Sequence, residues 1–264
     1  MQSTHFPIGI FDSGVGGTSV WKEISALLPL ENTLYLSDSK NAPYGQKSKK
    51  EIIDLSIKNT EFLLGQNCKL IVIACNTATT NAIQILRETY NVPFIGIEPA
   101  IKPASLKTKT NHIGILATKG TLASALFEKT SNTVNKKIII REKIGKGLVE
   151  LIEEGKLHSA EITDLLKTYI QPMIDEKVDC LVLGCTHYPY LIPQIRKIVG
   201  NNIQIIDSGE AVAKQTKNVL ELNGLLNKDD KIGTHQFYIN KDKKVLETLL
   251  SKYSKTIKIT EKEF

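Results

Sequence analysis

Two cysteines in this sequence share a context that could support proton transfer. Cys75 and Cys185 each follow a short apolar run directly, and each precedes polar residues instead of core residues. If these runs are buried strands of parallel sheets, both thiols lie at carboxyl ends of strands, where α/β proteins bind ligands. A thiol at such a place can act as an acid or a base once its pKa is tuned toward neutral pH.

Cysteine is also a small apolar residue that is often simply buried. We assign that structural role to Cys68 and Cys180, because Cys68 precedes its strand and Cys180 lies near the start of its own. The chain lacks the Cys-x-x-Cys spacing of common zinc and redox sites. A zinc site made of Cys75, Cys185 and His187 is an alternative, but a fourth ligand has no evident candidate, so we predict no metal.

Three turns accompany the cysteines. Asp12–Gly17 (DSGVGG) joins the first strand to a helix, and its glycines would let backbone N–H groups face an anion. Asp12 would repel a phosphate, so it suits a base or a partner for an ammonium group. The hydroxyls of Thr118–Thr121 could hold a carboxylate, whereas Asn41–Gly45 is, by itself, only a Pro/Gly turn.

Apolar runs alternate with amphipathic segments along the chain, which predicts an α/β fold. Most runs are unbroken over four or five residues, as in strands buried on both faces of a parallel sheet. The predicted strands are Ile8–Phe11, Leu34–Leu36, Leu70–Ala74, Phe94–Ile97, Ile113–Leu116, Lys137–Ile140, Cys180–Leu183, Ile203–Ile206 and Gln236–Ile239. Ser48 and Glu51 form a capping-box pattern that predicts the start of a helix.

The sequence also contains an internal repeat. The run that ends at Cys75 is echoed by the run that ends at Cys185, and two further segments are echoed in the same order at about the same offset of 110 residues. We therefore predict two pseudo-symmetric α/β domains with mainly parallel sheets flanked by helices. The duplication would place the two thiols on either side of an active site in the interdomain cleft, and a boundary is expected at Glu98-Pro99.

The composition and charge of the chain indicate which partners and which location to expect. The 264 residues carry a net charge of +6, but the lysines are scattered, and the stretch from Lys228 to Lys262 is expected to be a solvated surface. The sequence contains no concentrated basic stripe with interleaved aromatic residues, so we expect no nucleic-acid partner. No signal peptide or apolar run long enough for a bilayer is evident, so we expect a cytoplasmic protein with no membrane partner.

Taken together, the motifs resemble those of glutamate racemases, within the aspartate/glutamate racemase superfamily. The matching segments follow the family's order along nearly the whole chain and are Asp12–Gly17, Ala42–Gly45, Ala74–Thr79, Gly147–Gly155, Gly184–Pro189 and Ile206–Gly209. The cysteine segments ACNTAT and GCTHYP are the specific ones. The resemblance implies that residues 1–98 and 207–264 form the first domain and that residues 99–206 form the second.

The resemblance further implies interconversion of L- and D-glutamate without a cofactor, for peptidoglycan synthesis, by an enzyme that often forms homodimers. Cys75 would take the α-proton of one enantiomer and Cys185 that of the other, with Asp12 assisting Cys75. His187 and Glu153 would assist Cys185, although the adjacent Glu154 could replace Glu153. The residues implied to hold the substrate are Asp12, Ser13, Pro43, Tyr44, Gly45, Asn76, Thr77, Thr121, Thr186 and His187.

Two other functions fit parts of this pattern. The same fold and thiol pair could act on aspartate or another small acid. A duplicated α/β protein could also trap an amino acid in its cleft without reacting, although binding alone does not require two cysteines at equivalent strand ends.

Overall fold

The computed structural model of the protein describes residues 3–264, in which ten strands form two sheets. The strands are β1 (Ile8–Asp12), β2 (Thr33–Ser37), β3 (Leu70–Ile73), β4 (Phe94–Gly96), β5 (His112–Ala117), β6 (Ile139–Ile144), β7 (Cys180–Gly184), β8 (Gln204–Ile206), β9 (His235–Ile239) and β10 (Ile257–Glu261). The first sheet has the order β10-β9-β2-β1-β3-β4 and the second has the order β6-β5-β7-β8. Neighbouring strands run parallel in every pair within these residues.

Helices connect these strands and flank the sheets, as a parallel sheet requires. They are α1 (Thr18–Leu27), α2 (Lys49–Gly65), α3 (Asn76–Thr89), α4 (Ile101–Lys107), α5 (Lys119–Leu122), α6 (Ala125–Ser131), α7 (Leu148–Glu153), α8 (Ala160–Asp175), α9 (Ile192–Val199), α10 (Gly209–Leu222) and α11 (Lys244–Leu249). Helix α2 begins at the predicted capping box, since the Ser48 side chain accepts from the Glu51 N–H and the Glu51 side chain accepts from the Ser48 N–H. The predicted α/β fold is confirmed.

The two sheets repeat one strand order. In the first, β2-β1-β3-β4 are neighbours, and in the second the corresponding strands β6-β5-β7-β8 follow the same order. In a sheet of this order, later strands of the chain lie on both sides of the first strand. The strand order therefore reverses there, and ligands bind in the crevice that this leaves at the carboxyl ends of the strands. These crevices lie beyond β1 and β3 in one sheet and beyond β5 and β7 in the other.

The strands that border the crevices form the centre of the core. All residues of β1, β2, β3 and β7 are buried, which accounts for their unbroken apolar runs. Within residues 3–264, no helix combines the length and apolarity needed to cross a bilayer.

The structure corrects the sequence analysis at two peripheral places. Strand β6 begins two residues later than predicted and extends to Ile144, because it is an edge strand whose residues are all exposed or half-buried and so form no continuous apolar run. The lysine-rich C-terminal stretch is more than a solvated surface. It adds the unpredicted strand β10 to the first sheet and buries Leu246 and Leu250 in the core.

Candidate active site

A small cavity lies where the carboxyl ends of the two sheets face each other. Its free volume is about 10 Å³, which is about the room that one water molecule needs. Both Cys75 and Cys185 line it, so the thiols from the two equivalent strand ends share one space. Its other lining residues are Ser13, Pro43, Tyr44, Gly45, Asn76, Thr77, Thr118, Val149, Thr186 and His187.

Cys75 follows β3 and is the N-cap residue of α3. The Ala78 N–H donates to its sulfur at 3.4 Å, and the thiol donates to Ser13 Oγ at 3.6 Å. Burial, with the nearby Asp12 carboxylate, raises the pKa of the Cys75 thiol well above its ordinary value, although the Ala78 N–H, and the Ser13 hydroxyl when it donates to the thiolate, act in the opposite direction. Cys75 is therefore a thiol that needs a base close by before it can lose its proton.

Asp12 lies at the end of β1 and is completely buried. Its Oδ2 accepts from the Gly17 N–H at 2.7 Å, and its Oδ1 accepts from Ser13 Oγ at 3.4 Å and Thr186 Oγ1 at 3.5 Å. Burial raises the pKa of Asp12 to about 6, with the positive charge on His187 opposing the shift. A carboxyl group with a pKa near neutrality is suited to exchanging a proton with a neighbour.

The DSGVGG turn packs too tightly for side chains at its glycines. A Cβ at Gly17 would lie 2.7 Å from Asp12 Cβ and 2.8 Å from the Ala74 carbonyl oxygen, and one at Gly16 would lie 2.2 Å from His187 Nδ1. The glycines thus allow the first sheet's turn to approach both cysteine segments. Close packing therefore explains these glycines better than the anion-binding role that the sequence suggested.

On the other side of the cavity, Cys185 is part of a three-residue chain of contacts. Its sulfur lies 3.7 Å from His187 Nδ1, and His187 Nε2 lies 2.6 Å from Glu153 Oε1. Burial lowers the pKa of His187, but the contacts with Cys185 and Glu153 outweigh this effect and raise it well above the ordinary value. These contacts favour the protonated ring, which can donate to the Cys185 sulfur.

Glu153 reaches His187 without lining the cavity. Besides His187, its carboxylate accepts from the Val15 N–H at 2.6 Å and from Ser39 Oγ at 2.7 Å, so it connects both halves of the molecule. Burial opposes its ionisation, but these hydrogen bonds and the charge on His187 lower the pKa of Glu153 overall. The neighbouring Glu154 is exposed and pairs with Lys156 instead, so Glu153 is the glutamate that faces the site.

Hydroxyl and amide groups complete the wall beside Cys75. The Thr77 Oγ1 lies 2.8 Å from Thr118 Oγ1 and 3.2 Å from Thr121 Oγ1, so Thr121 stands behind the two threonines instead of lining the cavity. Asn76 donates to the Ile97 carbonyl at 3.4 Å, while its buried Oδ1 has no hydrogen-bond partner within residues 3–264. An unpartnered buried acceptor beside a cavity is available to a ligand that carries a donor.

Two residues line the cavity beside those that the resemblance implied. Thr118 belongs to the Thr118–Thr121 turn, whose hydroxyls the sequence analysis expected to be able to hold a carboxylate. Val149 belongs to the Gly147–Gly155 segment but carries no functional group, and only the three-dimensional structure places it at the cavity. No group of three or more His, Cys, Asp or Glu side chains within residues 3–264 has an arrangement that could hold a metal ion.

Chemically, the cavity presents one sulfur from each half of the molecule, and each sulfur has its own proton-exchanging neighbours. Cys75 has Asp12 and Ser13, and Cys185 has the His187–Glu153 pair. A small molecule held between the sulfurs could lose a proton to one and gain a proton from the other. Such an arrangement is suited to inverting a carbon centre that bears an acidic hydrogen.

Comparison with known proteins gives consistent results. The sequence profile of the Asp/Glu/Hydantoin racemase family matches residues 16–216. A glutamate racemase of Ralstonia pickettii is 47% identical over 219 residues, which cover 83% of this chain and 78% of that relative. A glutamate racemase isoform of Bacillus anthracis superposes with a TM-score of 0.88 at 31% identity, covering 99% of this chain and 98% of the other. The Francisella tularensis glutamate racemase, solved in complex with D-glutamate, superposes with a TM-score of 0.84 at 30% identity, covering 99% and 97% of the two chains.

Proposed function

The chain belongs to the Asp/Glu/Hydantoin racemase family, and we propose that within it this protein interconverts L- and D-glutamate without a cofactor. The observation that carries the proposal is that Cys75 and Cys185, at equivalent strand ends of the repeated sheets, line one cavity. The choice of glutamate as substrate is supported by relatives such as the 47% identical Ralstonia pickettii glutamate racemase.

In the proposed reaction, a thiolate on one side of the substrate takes the α-proton while the thiol on the other side donates its own. The Cα–H bond breaks, and its electron pair delocalises into the adjacent carboxylate as an enediolate-like carbanion. The opposite S–H bond then breaks as the new C–H bond forms on the other face. One turnover inverts the carbon and exchanges the protonation states of Cys75 and Cys185, so the enzyme is equally ready for the reverse reaction.

The neighbours of the sulfurs prepare them for these roles. Protonated His187 would stabilise a Cys185 thiolate through Nδ1, whereas Asp12, which shares the contact with Ser13, would accept the proton of Cys75. Glu153 does not line the cavity, so we assign it a positioning role through His187. Since Glu154 faces solvent, the alternative that it replaces Glu153 has no contact in its favour.

Donors around the cavity would stabilise the developing carbanion. Thr186, Thr77 and Ser13 present hydroxyl groups there, and Asn76 adds an amide. Donors already in place in a site without bulk water stabilise charge strongly, because they need no reorganisation during the reaction. The cavity has about 10 Å³ of free space, which leaves room for about one water molecule and requires the two halves to separate before glutamate can enter.

The proposed enzyme also has a substrate site, a domain arrangement and a cellular role. The substrate would be held by the predicted residues that line the cavity, with Thr121 supporting Thr77 and Thr118. Residues 1–98 with 207–264 would form one domain and residues 99–206 the other. A cytoplasmic location, assembly as a homodimer and supply of D-glutamate for peptidoglycan synthesis complete it.

The decisive experiment is exchange of the α-proton in deuterium oxide, followed with L-glutamate and, separately, with L-aspartate. We expect solvent deuterium to enter glutamate together with inversion at Cα, and aspartate to exchange far more slowly. Exchange with aspartate alone would assign the protein to another substrate, and tight binding of glutamate without exchange would identify a binding protein.

Cysteine variants test the two-thiol mechanism. Cys75→Ser and Cys185→Ser are expected to lower kcat for racemisation by at least about a thousandfold, since a serine hydroxyl is a far weaker acid than a thiol. Cys68→Ser and Cys180→Ser are matched controls, because both cysteines are buried but do not line the cavity. Racemisation at the normal rate by either of the first two variants would exclude the mechanism.

A further inference from the structure

The loop between β2 and α2 supplies part of the cavity wall, namely Pro43, Tyr44 and Gly45. Only two short 3₁₀ turns, Ser39–Asn41 and Tyr44–Gln46, give it regular backbone structure. Loops of this kind depend on side-chain hydrogen bonds for a fixed conformation. The position of Tyr44 and Gly45 in the site must therefore be set by groups around the loop.

Asp38 is the centre of those groups. It is 2% exposed, and its Oδ1 accepts from Asn41 Nδ2 at 2.8 Å and from Asn240 Nδ2 at 2.5 Å. Its Oδ2 accepts the Tyr44 hydroxyl, which in turn accepts from Asn59 Nδ2 at 3.1 Å. One buried carboxylate thus fixes the hydroxyl of the tyrosine that lines the substrate cavity.

Asn240 is the donor that comes from farthest along the chain. It follows β9 directly, and β9 pairs with β2 so that Ile239 lies opposite Ser37. This register places Asn240 beside Asp38, at the same carboxyl edge of the sheet as the active site. The position is buried, with 8% of the residue exposed.

The nitrogen and the oxygen of the Asn240 side-chain amide both form hydrogen bonds with the loop. Its Nδ2 donates to Asp38 Oδ1, and its Oδ1 accepts from the Lys40 N–H at 2.9 Å. Removing the side chain would leave a buried carboxylate oxygen with one donor fewer and a backbone N–H without its partner. The loss at Asp38 is expensive because that carboxylate is buried and hydrogen bonds to charged groups are the stronger ones, whereas the loss at the exposed residue Lys40 costs less.

We propose that Asn240 is a positioning residue for substrate binding: by bracketing Asp38 and Lys40 it holds Tyr44 and Gly45 against the cavity. The inference rests on the proposed function for its kinetic consequence, and it gives the C-terminal segment a role in the active site. Asn240 touches neither sulfur and does not line the cavity, so it acts on affinity more than on the proton transfers.

The kinetic test uses Asn240→Ala with Asn223→Ala as the matched control, because the Asn223 side chain is exposed and bonds only within its own helix end. Asn240→Ala is expected to raise KM for L-glutamate about tenfold while kcat stays within about twofold, as loss of a hydrogen bond to a charged group predicts. The control should leave both constants unchanged. A fall in kcat of about tenfold with an unchanged KM would overturn the positioning role.

Asn240→Asp adds a pH-dependent readout. A protonated carboxyl group at this position can still donate to Asp38 and accept from Lys40, whereas an ionised one would face the Asp38 carboxylate. Two adjacent carboxyl groups share a proton readily at low pH and repel at high pH. The ratio of the variant's KM to that of the unaltered protein should therefore rise as the pH increases. A ratio that is independent of pH would contradict the assigned contact.

Hydrogen exchange measured by mass spectrometry separates this inference from the proposed function. Asn240→Ala should speed amide exchange in residues 38–46, including the Lys40 amide, and leave the other segments of the first sheet unchanged. Unchanged exchange in that loop would overturn the inference whatever the activity. If the unaltered protein fails to racemise glutamate, the proposed function is wrong, while the exchange result still decides whether Asn240 holds the loop.

Discussion

Glu153 Oε1 lies 2.6 Å from His187 Nε2, and the other nitrogen of the ring faces the Cys185 sulfur at 3.7 Å. The carboxylate keeps the Nε2 proton in place and thereby fixes the ring orientation, as a hydrogen-bonded partner of a histidine generally does. Because the same carboxylate also accepts from Val15 and Ser39, the orientation of His187 depends on how the two halves of the protein meet.

Glu153→Gln is expected to change the pH dependence of activity more than the fold. The amide can keep contacts with His187 and Ser39, but without the negative charge the pKa of His187 should fall. The proton on His187 would then be lost at a lower pH, so the alkaline limb of kcat should move to lower pH. Glu154→Gln, at the exposed neighbour, is the control and should leave the profile unchanged; an identical shift in both variants would contradict the assignment.

Glu153→Ala should be far more damaging to stability. It leaves the Val15 N–H, the Ser39 hydroxyl and a buried protonated histidine without their acceptor. Removing one partner of a buried charged pair costs about 3–5 kcal/mol, so the free energy of unfolding in urea should fall by about that amount. A loss below about 1 kcal/mol would show that the carboxylate is not needed to hold the two halves together.

Gly16→Ala tests how closely the first sheet's turn approaches the second cysteine. The added Cβ would lie 2.2 Å from His187 Nδ1, so the ring must shift from its present position beside the Cys185 sulfur. We expect kcat to fall by at least about a hundredfold, because small displacements of a proton-transfer group are costly. Gly65→Ala is the control: a Cβ there meets no atom within 4 Å, and activity should be normal. Full activity of Gly16→Ala would contradict the observed packing.

Much of this architecture could be predicted from the sequence because the central strands are buried on both faces. Unbroken apolar runs such as that before Cys75 identify strands, and the repeat relates Cys75 to Cys185 directly. Strand β10 could not be found in the same way, because an edge strand with lysine and threonine on its faces has no continuous apolar run. The same reason explains the shifted start of β6.

Site residues that lie next to the cysteines in the sequence could be predicted, whereas contacts between residues far apart in the chain could not. The polar residues beside each cysteine lie close to it in the chain. By contrast, Ser39 reaches Glu153, and Asn240 reaches Asp38, over more than a hundred residues of sequence. Such pairs arise from the register of neighbouring strands and the meeting of two sheets, which no local pattern encodes.

Lys69→Met is expected to lower stability without changing the kinetics. Lys69 Nζ lies 2.5 Å from Glu31 Oε2, both side chains are almost completely buried, and Glu31 Oε1 accepts from the Asn227 N–H at 2.7 Å. Removing only the lysine leaves a buried carboxylate, so unfolding should become easier by about 3–5 kcal/mol. The double variant Lys69→Met/Glu31→Gln should recover much of that loss. A lower kcat in the folded single variant would show that the pair also affects the active site.

The raised pKa of Asp12 predicts opposite effects of pH on activity and on stability. Burial moves this pKa from 3.8 to about 6, so the folded protein holds a proton on Asp12 that the unfolded chain releases at lower pH. This contribution stabilises the fold below pH 3.8 and is lost as the pH rises through about 6. If Asp12 must be ionised to take the proton of Cys75, activity should rise over the upper part of that same range.

Asp12→Asn separates the two effects. The amide can still accept from Gly17 but has no charge, so at pH 8 the free energy of unfolding should increase by about 1–3 kcal/mol. At the same time kcat should fall by at least about a hundredfold, and its remaining value should no longer depend on pH near 6. Asp54→Asn, on the exposed face of α2 where Asp54 pairs with Lys50, is the control for removing a carboxylate. Denaturant unfolding and racemisation rates measured from about pH 5 to pH 9 decide the matter, and an unchanged acid limb in Asp12→Asn would mean that another group carries the proton of Cys75.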